Sequence, residues 1–434
     1  GTIDELNAAL KNFAKADLKE HEVVLRPDVG KVQNFQGENK FTFSWHLQIM
    51  DGIASQLTSR DKGDLVWNKH QRLTIHLGDE IDLAMQSDGK LLVSATVTSA
   101  TNPSDRDVAI QRLLPSGAVD TAFGTNGVRV VNLNDAYYDG STLYGLDASR
   151  SLTVDGSNDE FYLHAAQRGE GNASGGGPRT DTDFVIVKFD ANGEIVTGWG
   201  TQGKHLLDIQ ESGANPRQLL VVSNGVIGTG YANSLDVGST QPVVYKLDAS
   251  GALDTGFAVN GVFHHTGLAE QTEVYGAGIH GNQMVTGGYG RNSGQYNDWV
   301  SLRFDVVTGA RDTTWGGAAN GAVVFDPSAS VVEGANCRGA IALPGGRTLL
   351  YGSVGPGNVS AQDATFAVLS STGMLDSAFG SGIHVFPLGQ DGNDQFWGAA
   401  TQGNSVLIVG YQGAGANPTE ARNDDAYAAI LSLP

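Results

Sequence analysis

Short runs in which apolar and polar residues alternate, broken every few positions by glycine, asparagine or aspartate, fill the chain from about residue 62 onward. The clearest stretch predicts a strand from Ile81 to Met85, a tight turn at Ser87-Asp88-Gly89-Lys90, and a second strand from Leu91 to Val97. A polar loop leads to a third strand, Val108 to Leu113. Pro115-Ser116-Gly117 then reverses the chain, and Val128 to Val131 supplies a fourth strand.

This layout recurs, and each copy is marked by an aspartate, two further residues, then Phe or Trp. The phrase stands at Asp64 to Trp67, Asp120 to Phe123, Asp254 to Phe257, Asp312 to Trp315 and Asp376 to Phe379, with Trp199 in a degenerate copy that lacks the aspartate. The anchors Trp67, Phe123, Trp199, Phe257, Trp315 and Phe379 lie 56, 76, 58, 58 and 64 residues apart. Four short strands cannot bury a core by themselves, whereas copies arranged about an axis can. The repeat therefore predicts an all-β fold: a six-bladed β-propeller of four-stranded antiparallel blades. The chain ends predict its closure. Residues 72–77 form a fourth strand with no first three before it, while residues 396–400, 406–411 and 426–431 form three strands with no fourth. If the N- and C-terminal strands share the last blade, no sheet edge is left open.

The first 61 residues differ from the propeller segment, residues 62–434. Thr2-Ile3-Asp4-Glu5 is a capping box, and Ile3, Leu6, Leu10 and Phe13 share one helical face, so an amphipathic helix is expected to about Lys19. Either it packs on the propeller, or it is a short oligomerisation element, because its spacing also fits a heptad seam. Phe41, Phe43 and Trp45 alternate as in a half-buried strand.

The stretches Gln86 to Val93, Asp107 to Leu113 and Ser116 to Gly127 resemble the bacterial delta-60 repeat, and the likeness extends over about residues 62 to 434. It departs from the pattern at Ile195 to Thr197, at Ala258 and at Gln241-Pro242. The resemblance implies a propeller in an extracellular, cell-surface or periplasmic setting, and brings no catalytic residues with it.

Charge narrows the partners. A net charge of −20 repels a phosphate backbone and an anionic membrane, so no nucleic acid is expected. No apolar run is long enough to span a bilayer. The single cysteine, Cys337, sits in an apolar strand, the setting of a buried thiol. With no metal-ligand spacing among the histidines, no serine elbow and no P-loop, neither cofactor nor metal is expected. His264 and His265 are adjacent, so on a strand they face opposite ways, whereas His164 and His280 fall in the inner parts of their units. An aspartate before the third strand, Asp107, Asp183, Asp298, Asp363 or Asp425, recurs too far round a ring to converge on one ion, and is read as holding loop amides.

Loops between second and third strands, and those leading into each unit, share no sequence from copy to copy. Variable loops on a fixed scaffold mark the face where ligands bind. The residues taken to begin the innermost strands, Tyr144, Arg217, Tyr275, Arg338 and the pair Phe396-Trp397, combine flat apolar area with directional donors suited to sugars or carboxylates. The other reading makes them a plug of the axis. Tyr137, Tyr138, Tyr296 and Trp299 could extend the surface. The function expected is a non-catalytic binding or scaffold module recognising a glycan, peptide or protein. The alternative is a hydrolase or lyase acting on a polymer, with Asp82, Asp147 or Asp394 beside Arg217 or Arg338.

Overall fold

The computed structural model describes residues 42–43, 58–60, 64–67, 71–73 and 80–432, apart from gaps at 103, 141, 145–146, 265–267, 269, 318–319, 329–332, 357–361, 389–392, 403–404 and 413–424. Among the described residues there is no α-helix; the helix expected over residues 3–19 lies outside them.

β1 (Thr42–Phe43), β3 (Asp64–Trp67) and β4 (Gln71–Leu73) form a small sheet, while β2 (Thr58–Arg60) is the outer partner of β5 (Glu80–Met85). From β5 the ladder continues antiparallel through β6 (Leu91–Thr98), β7 (Arg106–Leu113) and β8 (Val128–Val131). After the ribbon of β9 (Tyr137–Asp139) and β10 (Thr142–Tyr144) comes a four-stranded sheet: β11 (Ala148–Val154), β12 (Phe161–Arg168), β13 (Thr182–Phe189) and β14 (Lys204–Leu207). An eight-stranded sheet follows. It joins β15 (Ala214–Val222), β16 (Gly225–Ser234), β17 (Ser239–Asp248) and β18 (Val262–His264) to β19 (Gln271–His280), β20 (Gln283–Arg291), β21 (Asp298–Asp305) and β22 (Ala322–Phe325). β23 (Glu333–Ala342), β24 (Thr348–Pro356), β25 (Asp363–Leu369) and β26 (Ile383–Phe386) make another four-stranded sheet, and β27 (Gln395–Gln402), β28 (Ser405–Gln412) and β29 (Asp425–Ser432) a last one of three strands.

The chain is an all-β propeller, but it is not the six-bladed ring expected. Four sheets of four or more strands are present. Two repeat copies share one ladder because Thr240 of β17 pairs in parallel with Gln271 of β19. Closure by a shared last blade is also corrected: β4 pairs with β3, and β29 has only β28 as its partner among the described strands. The segment after the first anchor finds its hydrogen bonds locally. It is β2, on the edge of β5, that lies against β27.

Middle strands such as β6 and β7 are buried on both faces, because sheets pack against them from either side. The cores therefore lie between successive sheets. Leu92 and Ile110 meet Phe161 and Phe189; Phe184 and Trp199 meet Val226 and Tyr245. Ile227 and Phe257 meet Met284 and Phe304, Trp299 and Trp315 meet Leu350 and Leu369, and Leu349 and Phe366 meet Phe396 and Ile408.

The repeated phrase fastens one unit to the next. Phe123, Trp199, Phe257 and Trp315 are buried, and Phe379 is partly so; the side chain of Trp67 is outside the described set. Asp120 accepts from the Ala122 amide at 3.2 Å and pairs with Arg112 at 2.9 Å. The Arg112 guanidinium lies over the Phe123 ring at 4.6 Å and donates to the Ala191 carbonyl of the next unit at 2.7 Å. Asp254 and Asp312 repeat the device with Lys246 and Arg303. Where the aspartate is missing, Lys188 pairs instead with Glu160 at 2.8 Å.

Candidate functional site

Five first strands, β11, β15, β19, β23 and β27, carry a β-bulge near their beginning. The ladders slip between Ser149 and Ser151, Pro216 and Leu219, Val274 and Gly276, Cys337 and Gly339, and Phe396 and Gly398. A bulge leaves its extra residue out of the ladder and re-aims its side chain. The residues so placed are Arg150, Arg217 with Gln218, Tyr275, Arg338 and Trp397. The residue at or just after the bulge ties neighbouring first strands together. Ser151 Oγ accepts from the Leu219 amide at 3.2 Å, and Gln218 Oε1 from the Ala277 amide at 2.5 Å.

Four of the expected residues converge. Arg217 Nη2 donates to Tyr231 Oη at 2.7 Å and to Tyr275 Oη at 3.2 Å, and Tyr275 Oη lies 3.2 Å from Tyr289 Oη. Guanidinium carbons lie over the Tyr275 ring from both Arg217, at 4.2 Å, and Arg338, at 5.0 Å. Arg338 also lies over Trp397 at 4.4 Å and Tyr289 at 5.6 Å. Arg217, Tyr275 and Arg338 keep some exposure, so the cluster is open to solvent. Burial pushes the Tyr231 and Tyr289 phenols up, and the nearby Glu273 carboxylate adds to both shifts, so these hydroxyls stay neutral donors.

Two expected residues are elsewhere. Tyr144 pairs with Tyr137 in the β9–β10 ribbon and begins no inner strand. Phe396, one position before Trp397, is buried in the intersheet core against Phe386. Trp299 is likewise core, packed on Phe325, whereas Tyr138 and Tyr296 are exposed. Arg150, Tyr231, Tyr289 and Glu273 went unpredicted. Arg150 was legible in principle, since Arg150-Ser151-Leu152 aligns with Arg338-Gly339-Ala340 and Trp397-Gly398-Ala399.

The carboxylates considered for catalysis are engaged by backbone. Asp82 accepts from the amides of Leu83 at 2.8 Å and Leu152 at 2.7 Å, Asp147 from Leu133 at 2.7 Å, and Asp394 from Leu388 at 2.8 Å. Burial nonetheless pushes Asp147 up to about 8. Among the aspartates before third strands, Asp107, Asp183, Asp298 and Asp363 are all raised, burial being the first cause. The side chain of Asp425 is outside the described set. Asp183 closes on Asp181 and Asp208 in a group with metal-ligand spacing, but Arg179 sits among them, donating to Asp183 and Asp208 at 2.8 Å each and forking onto Asp181. The guanidinium occupies the place where a cation would go.

The remaining candidates are structural. His164 is fully buried, its Nε2 2.8 Å from Tyr245 Oη, and burial pulls it down to about 3. His280 Nε2 lies 3.0 Å from Thr348 Oγ1. The Cys337 thiol is buried, donates to the Gly339 carbonyl at 3.4 Å and is pushed up to about 12.

Residues 86–123 match a family described as a domain of unknown function (DUF5122) beta-propeller. The matched stretch runs from the first turn to the anchor Phe123 and supports the propeller. No curated protein matches the chain. Among solved structures, the beta-propeller domain of the Trilobed protease from Pyrococcus furiosus is 10% identical at a TM-score of 0.36, covering 81% of this chain and 96% of that one. The alpha-L-arabinofuranosidase from Lactobacillus brevis is 9% identical at 0.37, over 81% and 90%. The exo-beta-1,3-galactanase from Phanerochaete chrysosporium is 10% identical at 0.35, over 88% and 94%. Likeness at this level says nothing of what this chain binds or catalyses. Among the described residues no helix is long and apolar enough to cross a membrane.

Proposed function

We propose that this propeller is a non-catalytic binding or scaffold module, placed at the cell surface or outside the cell, that takes a glycan, peptide or partner protein on its axial cluster and the variable loops around it. The observation that carries the reading is the convergence of Arg217, Tyr275 and Arg338, each partly exposed, on the buried Trp397, from four separate first strands into one stack of cations and rings. Preformed rings and guanidinium forks bind with little ordering cost. A hydrolase or lyase has less support, because Asp82, Asp147 and Asp394 already accept backbone amides.

The test is saturation-transfer NMR and a glycan array on the wild type and Trp397→Ala. Trp397 is buried beneath Arg338, and loss of the ring that backs this guanidinium is expected to weaken binding about tenfold, the scale of one cation–ring contact. Unchanged binding would remove the axis from the site. Release of reducing ends from a polysaccharide would favour the hydrolytic alternative.

A further inference from the structure

We infer that the axial cluster is an anion site and that Arg338 selects a carboxylate-bearing sugar, a uronic acid, over its neutral counterpart. This rests on the reading of the axis as the binding surface and adds the charge class of the ligand. Arg338 is enclosed by three rings, Trp397, Tyr275 and Tyr289, and its Nε makes a long hydrogen bond of 3.4 Å to Gln395 Oε1. No carboxylate among the described residues forms an ion pair with it. Ring faces offset part of the cost of a desolvated cation, but they leave the in-plane N–H donors of the guanidinium unused. Those donors match a carboxylate bidentately.

Charge around Arg338 points the same way. Arg217 lies over the same Tyr275 ring, and Arg150 holds the equivalent bulge on β11. Glu273, a carboxylate near the Tyr231 and Tyr289 hydroxyls, is buried and accepts from Gln271 Nε2. Arg217 and Arg338 thus share one ring at the axis of a chain whose net charge is −20. That wider field repels long polyanions, so a short acidic oligosaccharide suits the site better than an acidic polymer. A pyranose supplies both halves of the match: a C–H face for the partly exposed Tyr275, and a planar acid for Arg338.

Isothermal titration of the whole chain with trigalacturonic acid and with galactotriose tests this. The acid is expected to bind at least tenfold more tightly. Arg338→Met should abolish that preference by weakening trigalacturonic acid at least tenfold more than galactotriose, and Arg338→Lys, which keeps the charge without the fork, should restore part of it. Equal binding of the two sugars by the wild type, or a preference that survives Arg338→Met, overturns the inference while leaving the axial reading intact. If neither sugar binds, the inference falls; the axial reading falls with it only if Trp397→Ala also leaves every other ligand's binding unchanged. Should Arg338→Met fail to fold by circular dichroism, competition on the wild type decides: glucuronate displacing trigalacturonic acid no better than glucose sinks the proposal.

Discussion

Gly193 holds φ at +85° in the turn between the third strand of its unit and the anchor, and a Cβ there would sit 2.2 Å from the Phe123 ring of the preceding unit. Gly251 and Gly373 stand in the same relation to Trp199 and Trp315. Backbone strain and overpacking thus coincide at one atom, and Gly193→Ala is expected to cost about 3 kcal/mol in urea denaturation. Gly140, at φ +62° with nothing within 4 Å of a built Cβ, is the control; Gly140→Ala carries only the backbone penalty, about 1 kcal/mol. A second prediction concerns protonation. Asp147 is fully buried and its folded pKa, about 8, lies above its value in an unfolded chain, so the folded state holds the extra proton across that interval. Its contribution to stability is present in acid and is lost as pH rises from about 4 towards 8, at most about 1.4 kcal/mol per pH unit. Unfolding midpoints of Asp147→Asn, which keeps an acceptor for the Leu133 amide, should show a shallower fall with pH than the wild type. An identical pH profile would mean that the carboxyl ionises normally.

At the level of elements, the anchor phrase is a turn and an ion pair that serve as a clamp. Asp120→Ala removes the partner of a buried Arg112 and the acceptor of the Ala122 amide, and is expected to destabilise by about 3–5 kcal/mol. Installing the consensus aspartate in the degenerate copy, Val196→Asp, should gain under about 1 kcal/mol, because Lys188 already pairs with Glu160. A large gain would show that Glu160 is a poor substitute. The phrase was legible as a repeat because the same turn needs the same side chains each time. The bulges were not. Four of them show in the sequence only as a large residue followed by a small one, Arg217-Gln218 lacks even that, and Tyr144-Gly145-Leu146 imitates the pattern while leading out of a ribbon. Phe396 and Trp397 are equally aromatic, yet the bulge sends one into the core and the other to the axis.

On the scale of the whole molecule, closure depends on short contacts between distant segments. β2 occupies the outer edge of β5 and lies against β27, so removing Thr58–Arg60 is expected to lower Tm and to raise amide exchange in β5 and β27 before the other sheets. Uniform loss of protection would mean that β2 does not hold the seam. The sequence by itself determined that the chain is an all-β propeller built from a repeated strand-turn unit, because alternation, turn glycines and the D-x-x-aromatic phrase act through local chemistry. Tertiary structure alone decided how those units divide into sheets and which side chains meet on the axis. A single pairing at Thr240 and Gln271 merges two copies, the strand after the first anchor turns to β3 instead of to β29, and one slipped residue per inner strand gathers Arg217, Tyr275, Arg338 and Trp397. Hydrogen-bond partners and bulges are chosen by competition among edges that are close in space, and that proximity is not written in the order of the residues.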